Sequence, residues 1–126
     1  RPARHRHAVQ PLAFAGVLRA AMSQEAIDFG DGHTGEWLGW RPDRKLNPQY
    51  AHLPDVERCT LIVYHSKPDG SPCSGAITVV SPVNEAVFPG RPKWQMVQEE
   101  PLTLTPSLLC SCGDHGFITN GKWVRA

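Results

Sequence analysis

The chain has 126 residues, a formal net charge of +1 at pH 7 and a hydrophobic fraction of 40%. This length suits one domain with a modest core, and the near-neutral charge gives no general reason to expect nucleic acid as a partner. No apolar run approaches the roughly 18 residues of a membrane span, so no membrane partner is expected either. The 12 prolines and 11 glycines favour short strands joined by turns over a bundle of helices.

The beginning of the chain differs in character from the rest. Residues 1–21 are rich in Arg, Ala and Pro and are predicted to be a basic arm with a helical extension, whereas residues 22–126 are predicted to form one compact β-rich domain. Apolar residues recur at helical spacing from Leu12 to Ala26, which predicts one N-terminal helix. The apolar stretch 12–17 is too short for a secretory signal and is followed by Arg19, so a protein that is not secreted is expected.

The extended basic arm is the first candidate binding element. Its arginines Arg1, Arg4 and Arg6 have little apolar surface beside them, and a segment of this composition is typically disordered unless a partner orders it. We therefore expect these arginines to contact a partner subunit. Their few charges would give only weak, salt-sensitive binding to nucleic acid.

The rest of the chain predicts a mainly β fold, an antiparallel sheet or a small sandwich. β-Branched and aromatic residues dominate Cys59–His65, the clearest central strand, and Gly75–Val80 is its returning partner. Near the end, Asn120 and Gly121 supply the two positive-φ positions of a type I′ turn, which predicts a C-terminal β-hairpin. The predicted strands are 59–65, 75–80, 94–98, 102–110 and the two arms of the hairpin 117–124.

Several segments outside these strands are predicted to be loops. Asp28–Gly35 is predicted to be a solvated, turn-rich loop, because its polar residues do not match the ligand spacing of a calcium loop. Glu85–Pro92 is predicted to be a loop with a short apolar piece. Trp37 and Trp40 suit the edge of a core or a protein interface, and we expect both to bind a partner.

Cysteine and histidine residues supply a candidate metal site. Four cysteines are too few, and too unevenly spaced, for a disulfide scaffold of this length. A tetrahedral zinc site takes four ligands, usually from two separate parts of the chain. The five candidate ligands, two at the ends of the turn 66–72 and three in a C-x-C-x-x-H run, are His65, Cys73, Cys110, Cys112 and His115.

The preferred ligand set for a structural zinc ion is His65, Cys73, Cys112 and His115, with Cys110 as a substitute for any of them. Buried free thiols are the competing interpretation, because C-x-C-x-x-H is not the common C-x-x-C knuckle and buried cysteines behave as small hydrophobes. Redox chemistry is a third interpretation. The remaining cysteine, in the strand 59–65, is expected simply to pack there.

A set of motifs lies between residue 36 and the end of the chain. They are Gly39–Arg44, Asn47–Tyr50, Trp94, Pro101–Cys110 (PLTLTPSLLC), Cys112–Ile118 (CGDHGFI) and Gly121–Trp123 (GKW). In this pattern the chain resembles a family of small bacteriophage and prophage proteins, particularly those of actinobacteria. Some of those proteins carry a C-x-x-C knuckle where this chain has only Cys73.

The resemblance implies a phage gene product that acts in a virion or in the cytoplasm of a bacterial host. The expected function is that of a virion structural protein (a minor capsid, decoration or head-completion component) that assembles with other virion proteins or copies of itself. The alternative is a small zinc-binding phage accessory protein that binds a host protein or nucleic acid. The sequence contains no P-loop, Rossmann glycine pattern or zinc-deaminase signature, so neither enzyme activity nor a small-molecule substrate is expected.

Overall fold

The structure is a computed structural model that describes residues 6–8 and 26–126. Its strands are β1 (Arg6–Ala8), β2 (Ile27–Gly30), β3 (His33–Trp40), β4 (Val56–Ser66), β5 (Pro72–Thr78), β6 (Gln95–Gln98), β7 (Thr103–Thr105), β8 (Ser107–Leu109), β9 (His115–Thr119) and β10 (Lys122–Arg125). The helices in this part of the chain are α1 (Pro82–Val87) and a 3-10 turn (Pro48–Tyr50). The described residues contain no helix with the length and hydrophobicity needed to cross a bilayer.

Three small sheets make the fold mainly β, as predicted. The first has the antiparallel order β2-β3-β4-β5, and the second has the order β1-β8-β9-β10. In the second sheet β1 runs parallel to β8, and the other neighbours are antiparallel. The third sheet, β6-β7, is connected to the first through Trp94, whose backbone bonds to Thr78 and Val80 at 2.9 Å each.

The central and C-terminal strands are confirmed close to their predicted bounds. β4 and β5 pair in the expected hairpin, and β9 and β10 form the C-terminal one. Between β9 and β10, Asn120 and Gly121 have φ values of 50° and 77°, as a type I′ turn requires. The predicted strand 102–110 is divided into β7 and β8 at Pro106, which has no N–H to donate to a ladder.

The segment Asp28–Gly35 is a β-hairpin, and the prediction of a solvated loop there was wrong. Asp31 and Gly32 form its tip with φ values of 52° and 74°, because an Asp-Gly pair suits a type I′ turn as an Asn-Gly pair does. The turn places His33 at the start of β3, where its side chain is buried.

Helix α1 overlaps the start of the segment 85–92 that was predicted to be a loop. Ser81 caps the helix by accepting a 3.0 Å hydrogen bond from the backbone N–H of Asn84, and Pro82 occupies the first turn. The Asn84 side chain donates to the carbonyl oxygens of Cys59 and Val79 at 2.9 and 2.7 Å, which fixes the helix against the first sheet. Ser81 followed by Pro82 is a helix start signal that can be read from the sequence.

Side chains from all three sheets share one main core, and a smaller cluster lies apart from it. Trp37 belongs to the main core and Trp40 to the smaller cluster, with exposed fractions of 4% and 0%. The expectation that these two tryptophans bind a partner is therefore corrected, since they pack within their own chain. The main core consists of Phe29, Trp37, Leu61, Val63, Ile77, Val79, Trp94, Leu102, Leu104, Leu108, Cys110, Ile118 and Trp123.

Most of the predicted basic arm and N-terminal helix, including Arg1 and Arg4, lies outside the described residues. Strand β1 falls within the arm and pairs in parallel with β8, with Arg6 opposite Ser107. These three residues are therefore held by a strand of their own chain. A partner subunit, which was expected to hold the arm, is not needed to explain their position.

The second sheet has one position where only glycine fits, on β9. A Cβ atom on Gly116 would lie 2.6 Å from two ring atoms of Trp123 and 2.7 Å from the carbonyl oxygen of Val124. The Gly116 backbone therefore packs directly against the Trp123 indole, which is part of the main core. This close approach positions Trp123 for the contacts that it makes at the site described below.

We expect Gly116→Ala to lower the free energy of unfolding by about 1–3 kcal/mol, the usual cost of an overpacked core. The indole or β10 must move to admit the methyl group, and urea denaturation followed by circular dichroism measures the loss. The control is Thr119→Ala on the exposed face of the same strand, for which we expect less than about 1 kcal/mol. Equal stability of Gly116→Ala and the natural protein would contradict the observed packing.

Candidate metal centre

The first half of the site lies at the turn end of the β4–β5 hairpin. His65 and Cys73 are directly opposite each other in the ladder, so the hairpin register sets their spacing. A tight turn closes the hairpin through two 2.8 Å hydrogen bonds, from the Lys67 N–H to the Ser71 carbonyl and from the Gly70 N–H to the Lys67 carbonyl. The prediction that His65 and Cys73 approach each other across this turn is confirmed.

The second half of the site is the turn between β8 and β9. β8 ends at Leu109, so Cys110 and Cys112 lie in the turn and are not bound to the alternation of a strand. The Cys110 N–H bonds to the Asp114 carbonyl at 2.8 Å, and the Gly113 N–H bonds to the Cys110 carbonyl at 2.9 Å. Gly113 has a φ of 99°, a left-handed value that favours glycine and lets the chain reverse between the two cysteines and β9.

The two halves, which belong to different sheets, bring four ligand atoms together. One nitrogen of His65 and the sulfurs of Cys73, Cys110 and Cys112 all lie within 4.8 Å of one another. The Cys73 and Cys110 sulfurs are 3.6 Å apart, close to the spacing of about 3.8 Å that a tetrahedral ion with 2.3 Å bonds to sulfur imposes. This cluster can hold a metal ion.

The fifth predicted ligand, His115, lies outside the cluster. It is the first residue of β9, and its Nε2 lies 3.0 Å from the Ser107 hydroxyl oxygen across the β8–β9 pair. Cys110, which was expected only as a substitute, takes its place beside the other three ligands. The spacing of these residues in the sequence could not decide between Cys110 and His115 as the fourth ligand, because it does not show where β8 ends.

The chemistry of the thiols also favours a bound cation. Burial, followed by the neighbouring Cys110 and Cys112 sulfurs, raises the pKa of the Cys73 thiol to about 11. Without a positive ion, Cys73 therefore resists ionisation, because its thiolate would lose hydration and be repelled by negative charge on a neighbouring sulfur. A divalent cation among the three sulfurs would reverse that effect, since it stabilises thiolates directly.

Cys59 is chemically separate from the cluster, as predicted. It packs in the smaller core beside α1, and its thiol donates to the Asn84 side-chain oxygen at 3.1 Å. Burial outweighs the opposing hydrogen bonds to Thr60 and Asn84, so that the pKa of Cys59 is raised to about 11.

His33 and Asp114 adjoin the cluster, and neither was among the residues predicted to form a site. His33 Nε2 is 2.5 Å from Asp114 Oδ2, and His65 Nδ1 is 3.4 Å from the same oxygen. His33 also stacks on Trp123, with ring centroids 4.0 Å apart, and on His65, with centroids 5.2 Å apart. The Asp-Gly turn before His33 was the one sequence signal that would have placed it on a strand.

A cleft of about 420 Å³ opens beside the cluster. His65 and Cys112 line it together with His33, Asp114 and Arg125. Charges of both signs meet there, because Arg125 forms a 3.0 Å ion pair with Asp31 at the rim. An ion held by the cluster would lie next to the wall of this cleft.

Comparisons with protein-family models, with curated proteins and with solved structures found no match to this chain. The phage resemblance therefore stays a prediction, and the site has to be interpreted from its own geometry.

We expect the alkylation of Cys59 by iodoacetamide to be much slower in the folded than in the unfolded protein. Only an accessible thiolate reacts, and Cys59 is fully buried with its pKa raised from 9.0 to about 11, so at pH 9 the rate should fall at least about fiftyfold on folding. Peptide mass spectrometry on the folded protein measures the rate, and protein unfolded in guanidinium is the control. A folded-state rate equal to that of the unfolded protein would contradict the burial of this thiol.

Proposed function

We propose that this protein is a small zinc-binding domain, and that its zinc ion is structural. The observation that carries the proposal is the convergence of one imidazole and three thiols, from two hairpins of different sheets, within 4.8 Å of one another. The proposed ligands are His65, Cys73, Cys110 and Cys112.

Zinc is the metal that best fits this donor set. Thiolate ligands favour zinc, copper(I) and iron–sulfur clusters over harder ions such as magnesium and calcium, and three thiolates with one imidazole form a common tetrahedral zinc shell. All four positions are supplied by side chains, so no position is left for water or a substrate. Closed zinc sites of this kind serve structure, whereas catalytic zinc sites keep one position open.

The role of the ion follows from where its ligands lie. The β4–β5 hairpin belongs to the first sheet and the β8–β9 turn to the second, so one ion would join two sheets that no shared ladder connects. Since the unfolded chain cannot preform such a site, the free energy of zinc binding adds to the free energy of folding.

Of the two functions expected from the sequence, the zinc-binding one is therefore preferred. The virion structural role was expected from the phage resemblance, the lack of a convincing active site, a partner-ordered arm and tryptophans that dock on neighbouring subunits. The last two grounds lose support, because β1 pairs with its own chain and Trp37 and Trp40 are buried. We propose that the zinc-stabilised domain binds a protein or nucleic acid partner in the phage-infected cell, as the resemblance implies.

We expect purified protein to contain one zinc ion per chain by elemental analysis. Cys112→Ser should reduce the zinc content to well below one, because a serine hydroxyl does not replace a thiolate ligand. Cys59→Ser is the matched control, since it changes a cysteine outside the cluster and should retain the full zinc content. Absence of zinc from the natural protein after expression in zinc-supplemented medium would overturn the proposal.

Removal of the ion should destabilise the fold. We expect a strong chelator to lower the melting temperature, and added zinc to raise it again in a concentration-dependent way, because the ion binds the folded state. Differential scanning calorimetry measures both shifts, and Cys112→Ser should respond to neither treatment. An identical melting temperature with and without chelator in the natural protein would show that a bound ion is not structural.

A further inference from the structure

We propose that Asp114 is a positioning residue of the metal centre, which orients the His65 ring toward the ion and is itself held by His33. This inference rests on the proposed zinc site. It concerns two side chains that are not ligands and that the sequence pattern did not connect with the cluster.

The first step concerns the two ring nitrogens of His65. Its Nδ1 lies 3.4 Å from Asp114 Oδ2, so a carboxylate is the neighbour of this nitrogen. The ring then has Nε2 left to bind the ion. A carboxylate on the far nitrogen of a metal-bound histidine fixes the ring and its tautomer, and it makes the ligating nitrogen more basic.

The second step is that Asp114 is itself fixed from the other side. The Oδ2 atom that faces His65 also accepts from His33 Nε2 at 2.5 Å, a short charge-assisted hydrogen bond. His33 Nδ1 donates to the Asp31 carbonyl at 2.7 Å. Each ring nitrogen of His33 therefore lies within hydrogen-bond distance of an oxygen, which fixes the ring beside Asp114.

The third step is that the His33 ring is itself held in place beside Asp114. Only 4% of its surface is exposed, and it stacks on the His65 ring with centroids 5.2 Å apart. Stacking on Trp123 holds the His33 ring in this position.

The same three side chains, His33, His65 and Asp114, also resemble a metal-binding triad of their own, since their donor atoms lie within 4.8 Å of one another. The distances favour a shared proton. Two ligands bound to one tetrahedral ion at about 2.1 Å lie about 3.4 Å apart, whereas His33 Nε2 and Asp114 Oδ2 are separated by only 2.5 Å. This space fits a hydrogen and excludes an ion that both groups could ligate.

The test compares Asp114→Ala and the nearly isosteric Asp114→Asn with the natural protein. We expect Asp114→Ala to bind zinc 10- to 100-fold more weakly in competition with a chromophoric chelator, the usual effect of losing such a partner. Asp114→Asn keeps an acceptor for the His65 N–H but loses the charge, so its affinity should fall between the two. Asp55→Asn is the matched control, because it removes a half-exposed carboxylate that pairs with Arg41 and Arg44.

A second measurement separates positioning from a general loss of stability. In the zinc-loaded natural protein, nitrogen-15 NMR should show His65 with a protonated Nδ1 whose hydrogen exchanges slowly with water. In zinc-loaded Asp114→Ala that hydrogen should exchange at least tenfold faster, because its acceptor has been removed. A general loss of stability would also speed the exchange of backbone amides across the fold, whereas loss of positioning alone changes mainly this ring hydrogen.

The outcomes distinguish this inference from the zinc proposal. If the natural protein binds one zinc ion and Asp114→Ala binds it with equal affinity, the positioning role is overturned while the structural zinc site stands. Two zinc ions per chain would show that the triad is a second metal site and would also overturn the positioning role. If the natural protein binds no zinc, both proposals fail.

Discussion

Four side chains from two hairpins, His65, Cys73, Cys110 and Cys112, converge where the first and second sheets meet. Hydrophobic packing brings the sheets together, and a tetrahedral ion at the proposed site would in addition specify how the two hairpins meet, because its bond lengths and angles leave little freedom. The two turns are short, but they would contribute to the stability of the fold by supplying the ligands of this ion.

The contacts around the cluster extend this constraint into the core. Gly116 admits the Trp123 indole, the indole stacks on His33, and His33 holds Asp114 beside His65. Each contact is made by a residue from a different turn or strand. A change at Gly116 can therefore reach the metal centre through a chain of direct contacts, without any residue of the cluster being altered.

The sequence was sufficient where local signals are strong. The β-branched run of β4 and the Asn-Gly turn predicted the central and C-terminal hairpins, and the turn 66–72 predicted that His65 and Cys73 would meet. The Asp31-Gly32 pair is an equivalent turn signal, but the charged residues around it led to the prediction of a solvated loop. Because of this error, His33 was not predicted to be buried. Its side chain is polar, and it is buried by contacts with residues more than 80 positions away, such as Asp114.

The other errors have a common physical cause. Whether Trp37 and Trp40 face solvent or a core depends on which sheet covers them, and no local pattern contains that information. The choice between Cys110 and His115 depends likewise on where β8 ends, which long-range packing decides.

X-ray absorption spectroscopy at the zinc edge tests the central claim most directly, because it counts the atoms bound to the ion. The account predicts a shell of three sulfurs at about 2.3 Å and one nitrogen at about 2.0 Å, with no water. A shell with fewer than three sulfurs, or one that contains an exchangeable oxygen, would contradict a closed structural site formed by His65 and the three cysteines.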